Sequence, residues 1–342
     1  MDVTRQQKPS TPWIERRISQ LETKKAKRYV ILCADSMIPY ALQIVSLYPN
    51  RFKYIPTEYK KYNDGTDDIN ILGFTPENEI AGEDILFLAS FHSNDVTLSQ
   101  FSVLIVLLQS FIESLTVVLP YFPVATNERV DCEGHVATAN TYSMLLSNLP
   151  SVGKPTRLML YDLHTLQNRF YFHSSTIPSL HSAIPLLLER LKSTMITAIA
   201  FPDDGAAKRF GRYFKKAGFN DIIICGKKRD GDRRTITVLD GDVAGKEIVI
   251  VDDLVQTGGT LYECAQSLLK MGAAKISCYV THGVFPNGCW KNFCRNSNGA
   301  KSNVFEKFWL TNSYPISYDL PNDDCFEILD LVPQIIKDLD EY

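Results

Sequence analysis

Short apolar runs alternate with segments of helical periodicity from about residue 28 onward. The apolar runs predict strands at 29–33, 85–90, 115–119, 157–161, 197–201, 221–225, 235–239, 247–251 and 275–281. The helical periods between them predict helices at 96–113, 136–146, 184–191, 206–217 and 261–271. Strands that alternate with helices are typical of an α/β fold with parallel sheets.

The predicted strand at 247–251 leads into the most informative segment of the chain. Two acids, Asp252 and Asp253, follow this strand, and the loop Thr257-Gly258-Gly259-Thr260 precedes the next helix. Glycines let backbone amides approach a phosphate, and a helix N-terminus adds partial positive charge. Carboxylates would repel that phosphate, so we expect them to face sugar hydroxyls or a bridging metal. The segment predicts a sugar-phosphate site, and an ordinary capped strand–turn–helix is the alternative.

Composition narrows the class of protein. A length of 342 residues indicates about two domains, and 22% charged residues with a net charge of −3 is typical of a soluble protein without general nucleic-acid binding. The most apolar stretch, 101–122, contains Gln109, Ser110 and Glu113, so we expect no membrane span. Eight scattered cysteines and no secretory segment predict reduced thiols and a cytoplasmic location.

The acidic and glycine-rich segment resembles the phosphoribosyl-diphosphate motif of type I phosphoribosyltransferases and of ribose-phosphate diphosphokinases, the PRPP synthetases. Further stretches occur in the order typical of the synthetases: Ser90-Phe91-His92, Pro120-Tyr121-Phe122, Tyr161-Asp162-Leu163-His164, Phe201-Pro202-Asp203, Gly241-Asp242-Val243 and Thr281-His282-Gly283. The ordered set favours the synthetases. Gln256 in the phosphate loop, with Glu128-Arg129-Val130, resembles the plant-type class II branch, which generally lacks phosphate dependence and ADP control.

The resemblance implies an enzyme that transfers the diphosphoryl group of ATP to the 1-hydroxyl of ribose 5-phosphate, with Mg²⁺ as cofactor. It also implies two tandem type I phosphoribosyltransferase-like domains, each a mostly parallel sheet flanked by helices. We predict the following division of the chain: a polar arm at 1–26, an ATP-side domain at 27–170, a second domain at 171–325, and a C-terminal helix at 326–342 that packs on the first domain.

The family's ribose 5-phosphate and metal residues map onto three strand ends. Asp252 and Asp253 would hold the ribose hydroxyls, and the loop would hold the 5-phosphate through Gln256, Thr257, Gly258, Gly259 and Thr260. Asp162 and His164, two residues apart at a strand end, and Asp203 would form the metal–ATP site. Imidazole is an unusual magnesium ligand, so His164 has a second assignment, on ATP phosphate. A capping Asp beside a core His is the structural alternative for the Asp162–His164 pair.

The basic segment 227–234 separates two predicted strands and matches the family's catalytic flap, in which Lys227 and Arg229 would act on the transferred group. A basic, glycine-containing segment suits a flap that closes over phosphates. A solvated charged hairpin is the alternative for such a run of charges.

The family builds part of its adenine pocket from a neighbouring subunit, which implies a homo-oligomer. Tyr62, Asp64 and Thr66 occupy that element here, with Thr66 replacing an acid, and a plain Asn-Asp-Gly turn is the alternative. A second ATP element places Asn127 and Arg129 at the nucleotide. Two other functions stay open. A phosphoribosyltransferase would leave the flap unexplained, and a non-catalytic regulatory subunit would be expected to lose site residues that this chain keeps.

Overall fold

The chain folds into two mostly parallel β-sheets, and helices cover both faces of each sheet. A computed structural model describes residues 27–123, 130, 132–151, 153–173, 175–230, 233–295, 303–321 and 325–341, with the backbone alone at 227–230, 233–235 and 318. In these ranges the strands are β1 Tyr29–Cys33, β2 Phe52–Tyr54, β3 Thr57–Lys61, β4 Asp67–Ile71, β5 Asp84–Leu88, β6 Ser114–Leu119, β7 Thr156–Tyr161, β8 Thr176–His181, β9 Ala198–Phe201, β10 Ile222–Asp230, β11 Arg233–Asp240, β12 Glu247–Val255, β13 Lys275–Gly283, β14 Phe308–Thr311 and β15 Phe326–Leu329. The α-helices are α1 Ile38–Leu47, α2 Asn94–Leu108, α3 Thr138–Ser147, α4 Ile184–Leu191, α5 Asp204–Lys216, α6 Gly259–Lys270 and α7 Val332–Asp340.

The first sheet has the order β2-β1-β5-β6-β7-β8, and all of its pairs are parallel. The second has the order β11-β10-β9-β12-β13-β14-β15 and is parallel except for the β10–β11 hairpin. A separate antiparallel hairpin joins β3 and β4. Two such sheets confirm the predicted α/β class.

Successive side chains of a strand point to opposite faces of the sheet, so each strand contributes to two hydrophobic cores. In β1, for example, Val30 and Leu32 enter one core, whereas Tyr29, Ile31 and Cys33 enter the core on the other face. Strands buried on both faces need apolar residues at successive positions, which is why they read as continuous runs in the sequence.

The boundary between the two halves lies later than residue 170. The strand Thr176–His181 pairs with β7 and closes the first sheet, whereas Ile184, Leu187 and Leu191 of α4 pack into the second half. This strand escaped prediction because it contains Pro178 and little apolar sequence, and it is tolerated because it lies at the edge of the sheet.

The C-terminal segment is a strand followed by a helix. Phe326–Leu329 pairs with β14 and forms the last strand of the second sheet, so the segment predicted as a helix from residue 326 becomes helical only at Val332. Pro333 in the first turn suits the start of the helix. Val332, Ile335, Ile336 and Leu339 of α7 pack in one core with Tyr29 and other residues of the first half.

Candidate functional site

The phosphate loop lies between β12 and α6. Gly258 takes a left-handed conformation with φ 68°, and a Cβ there would lie 2.4 Å from Cζ of Phe293. Only glycine satisfies both conditions. The helix begins at Gly259, so its first amides lie beside the loop, as an anion site requires.

The acids lie inside β12 rather than after it. The strand was expected to end at Val251, but the pairing with β13 continues through Asp252 opposite Val280 and Leu254 opposite His282. This extension places both carboxylates on the edge where the parallel strands end, next to the loop.

A cavity of about 600 Å³ joins the loop, the acids and residues from neighbouring elements. Its lining includes every residue predicted for ribose 5-phosphate and metal except Asp162: His164, Asp203, Asp252, Asp253, Gln256, Thr257, Gly258, Gly259 and Thr260. Ile236, Leu254, Val255, Leu261 and Glu263 complete the lining and were not predicted. His164 comes from the first half and the others come from the second, so the cavity lies where the halves meet. This position, beyond the carboxyl ends of the strands, is where open α/β sheets bind ligands.

Asp253 is held from two sides. Its Oδ2 lies 2.9 Å from Nδ1 of His164, and its Oδ1 lies 3.0 Å from Nη1 of Arg209. The Asp253 side chain is only 2% exposed. Burial alone would raise the pKa of Asp253, but the hydrogen bond with His164 and the charge of Arg209 hold it below its usual range. Asp253 is therefore an ionised, enclosed carboxylate.

Asp252 and Asp203 form the acidic side of the cavity. Burial raises the pKa of Asp252 well above its usual range, and the charges of Asp253 and Asp203 raise it further. Asp203 caps α5, with its Oδ1 2.9 Å from the amide of Ala206. The negative charges of neighbouring carboxylates repel one another, and a cation bound between them reduces this repulsion. Carboxylate oxygens are ligands that Mg²⁺ prefers, so Asp203 and Asp252 fit this ion.

Asp162 lies away from this cavity. Its buried Oδ2 accepts hydrogen bonds from the Ala183 amide at 2.8 Å and from Oγ1 of Thr281 at 2.7 Å. Burial raises the pKa of Asp162. The carboxylate thus ties the end of β7 to both α4 and β13, which differs from the metal ligand expected from the sequence. A strand-end pattern could not distinguish a side chain turned into the cavity from one turned into the interior.

The predicted flap is a hairpin. Strands β10 and β11 continue through most of the segment expected to be a loop, and the ladder pairs Lys227 with Ile236 and Arg229 with Arg234. Ile236 lines the cavity, so the backbone at Lys227 lies beside its rim.

The element predicted to contact adenine is the turn of the β3–β4 hairpin. Oδ1 of Asp64 accepts hydrogen bonds from the Thr66 amide at 2.9 Å and from Oγ1 of Thr66 at 2.6 Å, and Tyr62 is exposed. In one copy of the chain these residues lie outside the lining of the cavity. Asn127, Arg129 and residues 1–26 fall outside the described residues.

Glu263, which lines the cavity, was missed by the sequence analysis. Arg209, which contacts Asp253 from outside the cavity lining, was also missed. It lies on α5, six positions after Asp203, in a helix whose basic residues resemble an ordinary solvated face. The one available signal was its location in the helix that follows Phe201-Pro202-Asp203.

Two negative findings concern the described residues. No group of three or more His, Cys, Asp or Glu side chains among them is arranged to hold a metal. No helix in the same ranges is long and apolar enough to cross a membrane.

Comparison with known proteins gives consistent similarities. Residues 196–292 match the family model described as phosphoribosyl transferase domain. Ribose-phosphate pyrophosphokinase 3, chloroplastic, of Arabidopsis thaliana is 41% identical over 326 residues, which cover 94% of this chain and 78% of that protein. Ribose-phosphate pyrophosphokinase 4 of the same plant is 39% identical over 323 residues and 93% of each chain. The chloroplastic form 3 of Oryza sativa subsp. japonica is 46% identical over 266 residues, which span 76% of this chain and 64% of that relative.

Among solved structures, phosphoribosylpyrophosphate synthetase from Mycobacterium smegmatis matches with a TM-score of 0.74 over 91% of this chain and 97% of that one. The sequence identity of this pair is 20%, so the match establishes the shared fold.

Proposed function

The chain belongs to the ribose-phosphate pyrophosphokinase family, and we propose that it transfers the diphosphoryl group of ATP to the 1-hydroxyl of ribose 5-phosphate. The observation that carries this proposal is the cavity in which His164 of the first half meets Asp203, Asp252 and the phosphate loop of the second. In the reaction O1 of the sugar attacks the β-phosphorus of ATP. The bond from that phosphorus to the oxygen bridging the α- and β-phosphates breaks, AMP leaves, and the 1-hydroxyl releases one proton.

We assign the 5-phosphate to the loop from Gln256 to Thr260 and the ribose hydroxyls to Asp252. The left-handed Gly258 and the start of α6 at Gly259 support a phosphate held by backbone amides. Asp253 belongs to the same motif, but both of its oxygens already contact protein groups. Its enclosure supports a role in holding neighbouring site residues.

Magnesium fits the acidic side of the cavity, where Asp203 and Asp252 would hold it. When bound, the ion would neutralise negative charge on the phosphates. His164 is better suited to ATP phosphate than to the metal, because its Nδ1 already contacts Asp253. Asp162 is not among the proposed ligands, because its hydrogen bonds hold its side chain in the interior.

We assign Lys227 and Arg229 to the charge that develops on the transferred group. The ladder places the backbone at Lys227 opposite Ile236, at the rim of the cavity. Preorganised cations at such a position stabilise a phosphoryl-transfer transition state.

A homo-oligomer would complete the nucleotide site. Tyr62, Asp64 and Thr66 lie on a hairpin separate from the cavity of their own chain, which supports their use by a neighbouring copy. Asn127 and Arg129, from the first half of the same chain as the cavity, would also contact ATP.

A reducing compartment fits the cysteines of this chain. None of the eight, all of which lie within the described residues, forms a disulfide, and six of them lie in or against the core on one face of the second sheet. We propose the cytoplasm, although the names of three relatives include the word chloroplastic or mitochondrial. Imaging of the tagged full-length protein tests this location.

Release of AMP tests the proposed reaction. Purified protein with Mg²⁺, ATP and ribose 5-phosphate is expected to form AMP, and ³¹P NMR should show a new diphosphate on C1 of the sugar. A phosphoribosyltransferase would instead consume the diphosphate when given a nucleobase. A regulatory subunit would do neither. Folded protein that forms no AMP above a blank without ribose 5-phosphate would contradict the proposal.

A further inference from the structure

Arg209 stands behind the site rather than in it. The residue lies in the second turn of α5, and its side chain is 13% exposed. Nη1 lies 3.0 Å from Oδ1 of Asp253, within ion-pair distance but without the alignment of a hydrogen bond. Arg209 does not line the cavity defined by the described residues, whereas Asp253 does. The ion pair with Asp253 is therefore a direct link between Arg209 and the lining of the cavity.

Asp253 transmits that influence to His164. Oδ1 of Asp253 is paired with the Arg209 guanidinium, so the carboxylate accepts a hydrogen bond at Oδ2, and Nδ1 of His164 carries the hydrogen in this 2.9 Å contact. This bond selects one imidazole tautomer and fixes the orientation of the ring. The contact also crosses between the halves, because His164 follows β7 of the first sheet and Asp253 lies in β12 of the second.

Arg209 is well suited to keep this carboxylate charged and in place. The acids Asp252 and Asp203 belong to the same cavity, so Asp253 lies in an acidic surrounding. Its ion pairs within the described ranges are with His164 and Arg209. Guanidinium keeps its charge at every physiological pH, whereas imidazole does not.

We infer that Arg209 is a positioning residue for diphosphoryl transfer: through Asp253 it fixes the tautomer and orientation of the His164 ring between the two halves. The inference rests on the proposed function for its kinetic consequences. The coupling of Arg209, Asp253 and His164 can be measured without any reaction.

The kinetic test uses Arg209→Met, which keeps a long apolar side chain without charge, and Arg209→Lys, which restores the charge. We expect Arg209→Met to lower kcat about 30- to 100-fold while KM for ribose 5-phosphate changes less than about threefold, because misorientation acts mainly on the transition state. Arg209→Lys should recover at least tenfold of that loss. Lys208→Ala is the matched control, since Lys208 is exposed on the same helix and pairs with Asp204.

A double-mutant cycle tests whether Arg209 acts through Asp253. Asp253→Asn removes the charge that Arg209 contacts, so the double variant with Arg209→Met should be no slower than Asp253→Asn alone. Additive losses in kcat would overturn the inference, as would a Lys variant no faster than the Met variant. Circular dichroism of each variant ensures that only folded protein is compared.

Imidazole ¹⁵N NMR at one fixed pH supplies a readout that needs no turnover. Wild-type protein should show His164 with hydrogen on Nδ1, and Arg209→Met should increase the population of the other tautomer; a His164→Asn spectrum assigns the signals. An unchanged His164 spectrum in Arg209→Met would overturn the inference. Wild-type protein that forms no AMP but shows this spectral change would contradict the proposed reaction and support the Arg209–Asp253–His164 coupling.

Discussion

At Gly258 two independent constraints meet in one residue. Its φ of 68° is costly for side chains with a Cβ, and the space where a Cβ would lie is filled by the ring of Phe293. The neighbouring Gly259 has neither constraint, because the nearest atom to a Cβ there is Oγ1 of Thr257 at 3.9 Å. The sequence presents these two glycines as equivalent, and only the backbone conformation separates them.

Gly258→Ala should lower the free energy of unfolding by about 1–3 kcal/mol, because the strained backbone and the contact with Phe293 add together. Chemical denaturation measures this change. Gly259→Ala is the matched control and should change stability by less than about 1 kcal/mol. Equal effects in the two variants would show that neither the left-handed conformation nor Phe293 limits the position.

The sequence shows the type and charge of each site residue, but it does not show which side chains that residue contacts. The adjacent acids appeared as equals, yet Asp253 is enclosed by His164 and Arg209 while Asp252 has its pKa raised by burial. Asp162 and His164, two positions apart, also diverge, since one enters the interior and the other reaches the cavity. These differences depend on side chains that are distant in sequence.

At the scale of elements, the basic segment predicted as a flap belongs to the β10–β11 hairpin. Backbone pairing extends along the basic segment as far as Asp230 opposite Arg233. A charged run with a glycine predicts exposure and a turn, but it does not reveal how far the flanking ladder continues. Ile222–Ile224 of β10 pair with β9 in the main sheet, so only the part of the hairpin beyond Ile224 is available to close over substrate.

Lys227→Ala should lower kcat about 10²-fold or more and leave ribose 5-phosphate binding nearly unchanged, because a flap cation acts mainly in the transition state. Steady-state AMP release and equilibrium binding of the sugar phosphate measure the two quantities. Lys228→Ala, at the adjacent position of the ladder, is the control and should have a smaller effect. A loss restricted to KM would count against the proposed role of Lys227.

At the scale of the whole molecule, the C-terminal helix returns to the first half and ties the two halves together. The Tyr161 hydroxyl donates to Oδ2 of Asp338 at 2.9 Å, and Nδ1 of His181 lies 3.5 Å from the same oxygen. The hydroxyl of Tyr40 donates to the carbonyl of Asn312 at 2.6 Å, which adds a second link between the halves. These contacts therefore hold the two halves in the relative position that the cavity requires.

Asp338→Asn should reveal a pH-dependent contribution of this tie to stability. Burial raises the pKa of Asp338 from 3.8 to about 6, so the folded protein binds this proton more tightly than the unfolded chain. The resulting stabilisation is fully present below 3.8 and is lost as pH rises through about 6. The unfolding free energy of wild type relative to Asp338→Asn should therefore increase by about 1 kcal/mol from pH 7 to pH 4.5.

The wild type must be compared with a variant because the contribution of His181 to stability changes with pH in the opposite direction. Burial lowers the pKa of His181 to about 4, so its contribution to stability is lost as pH falls below 6.5. Because Nδ1 of His181 lies 3.5 Å from Asp338, the same comparison in a His181→Gln background isolates the contribution of Asp338. A difference that is constant with pH, or that grows toward neutral pH, would contradict the assignment to Asp338.

The sequence by itself determined the α/β class and the position of the phosphate loop, because these depend on local patterns of apolar residues, glycines and acids, and the family resemblance implied the plan of two sheets. It did not reveal the edge strands Thr176–His181 and Phe326–Leu329, since edge strands need little apolar sequence and are defined by their neighbours. Only the tertiary structure decided that His164, Asp253 and Arg209 act together. Their three elements lie far apart along the chain, and packing of the two halves brings them into contact.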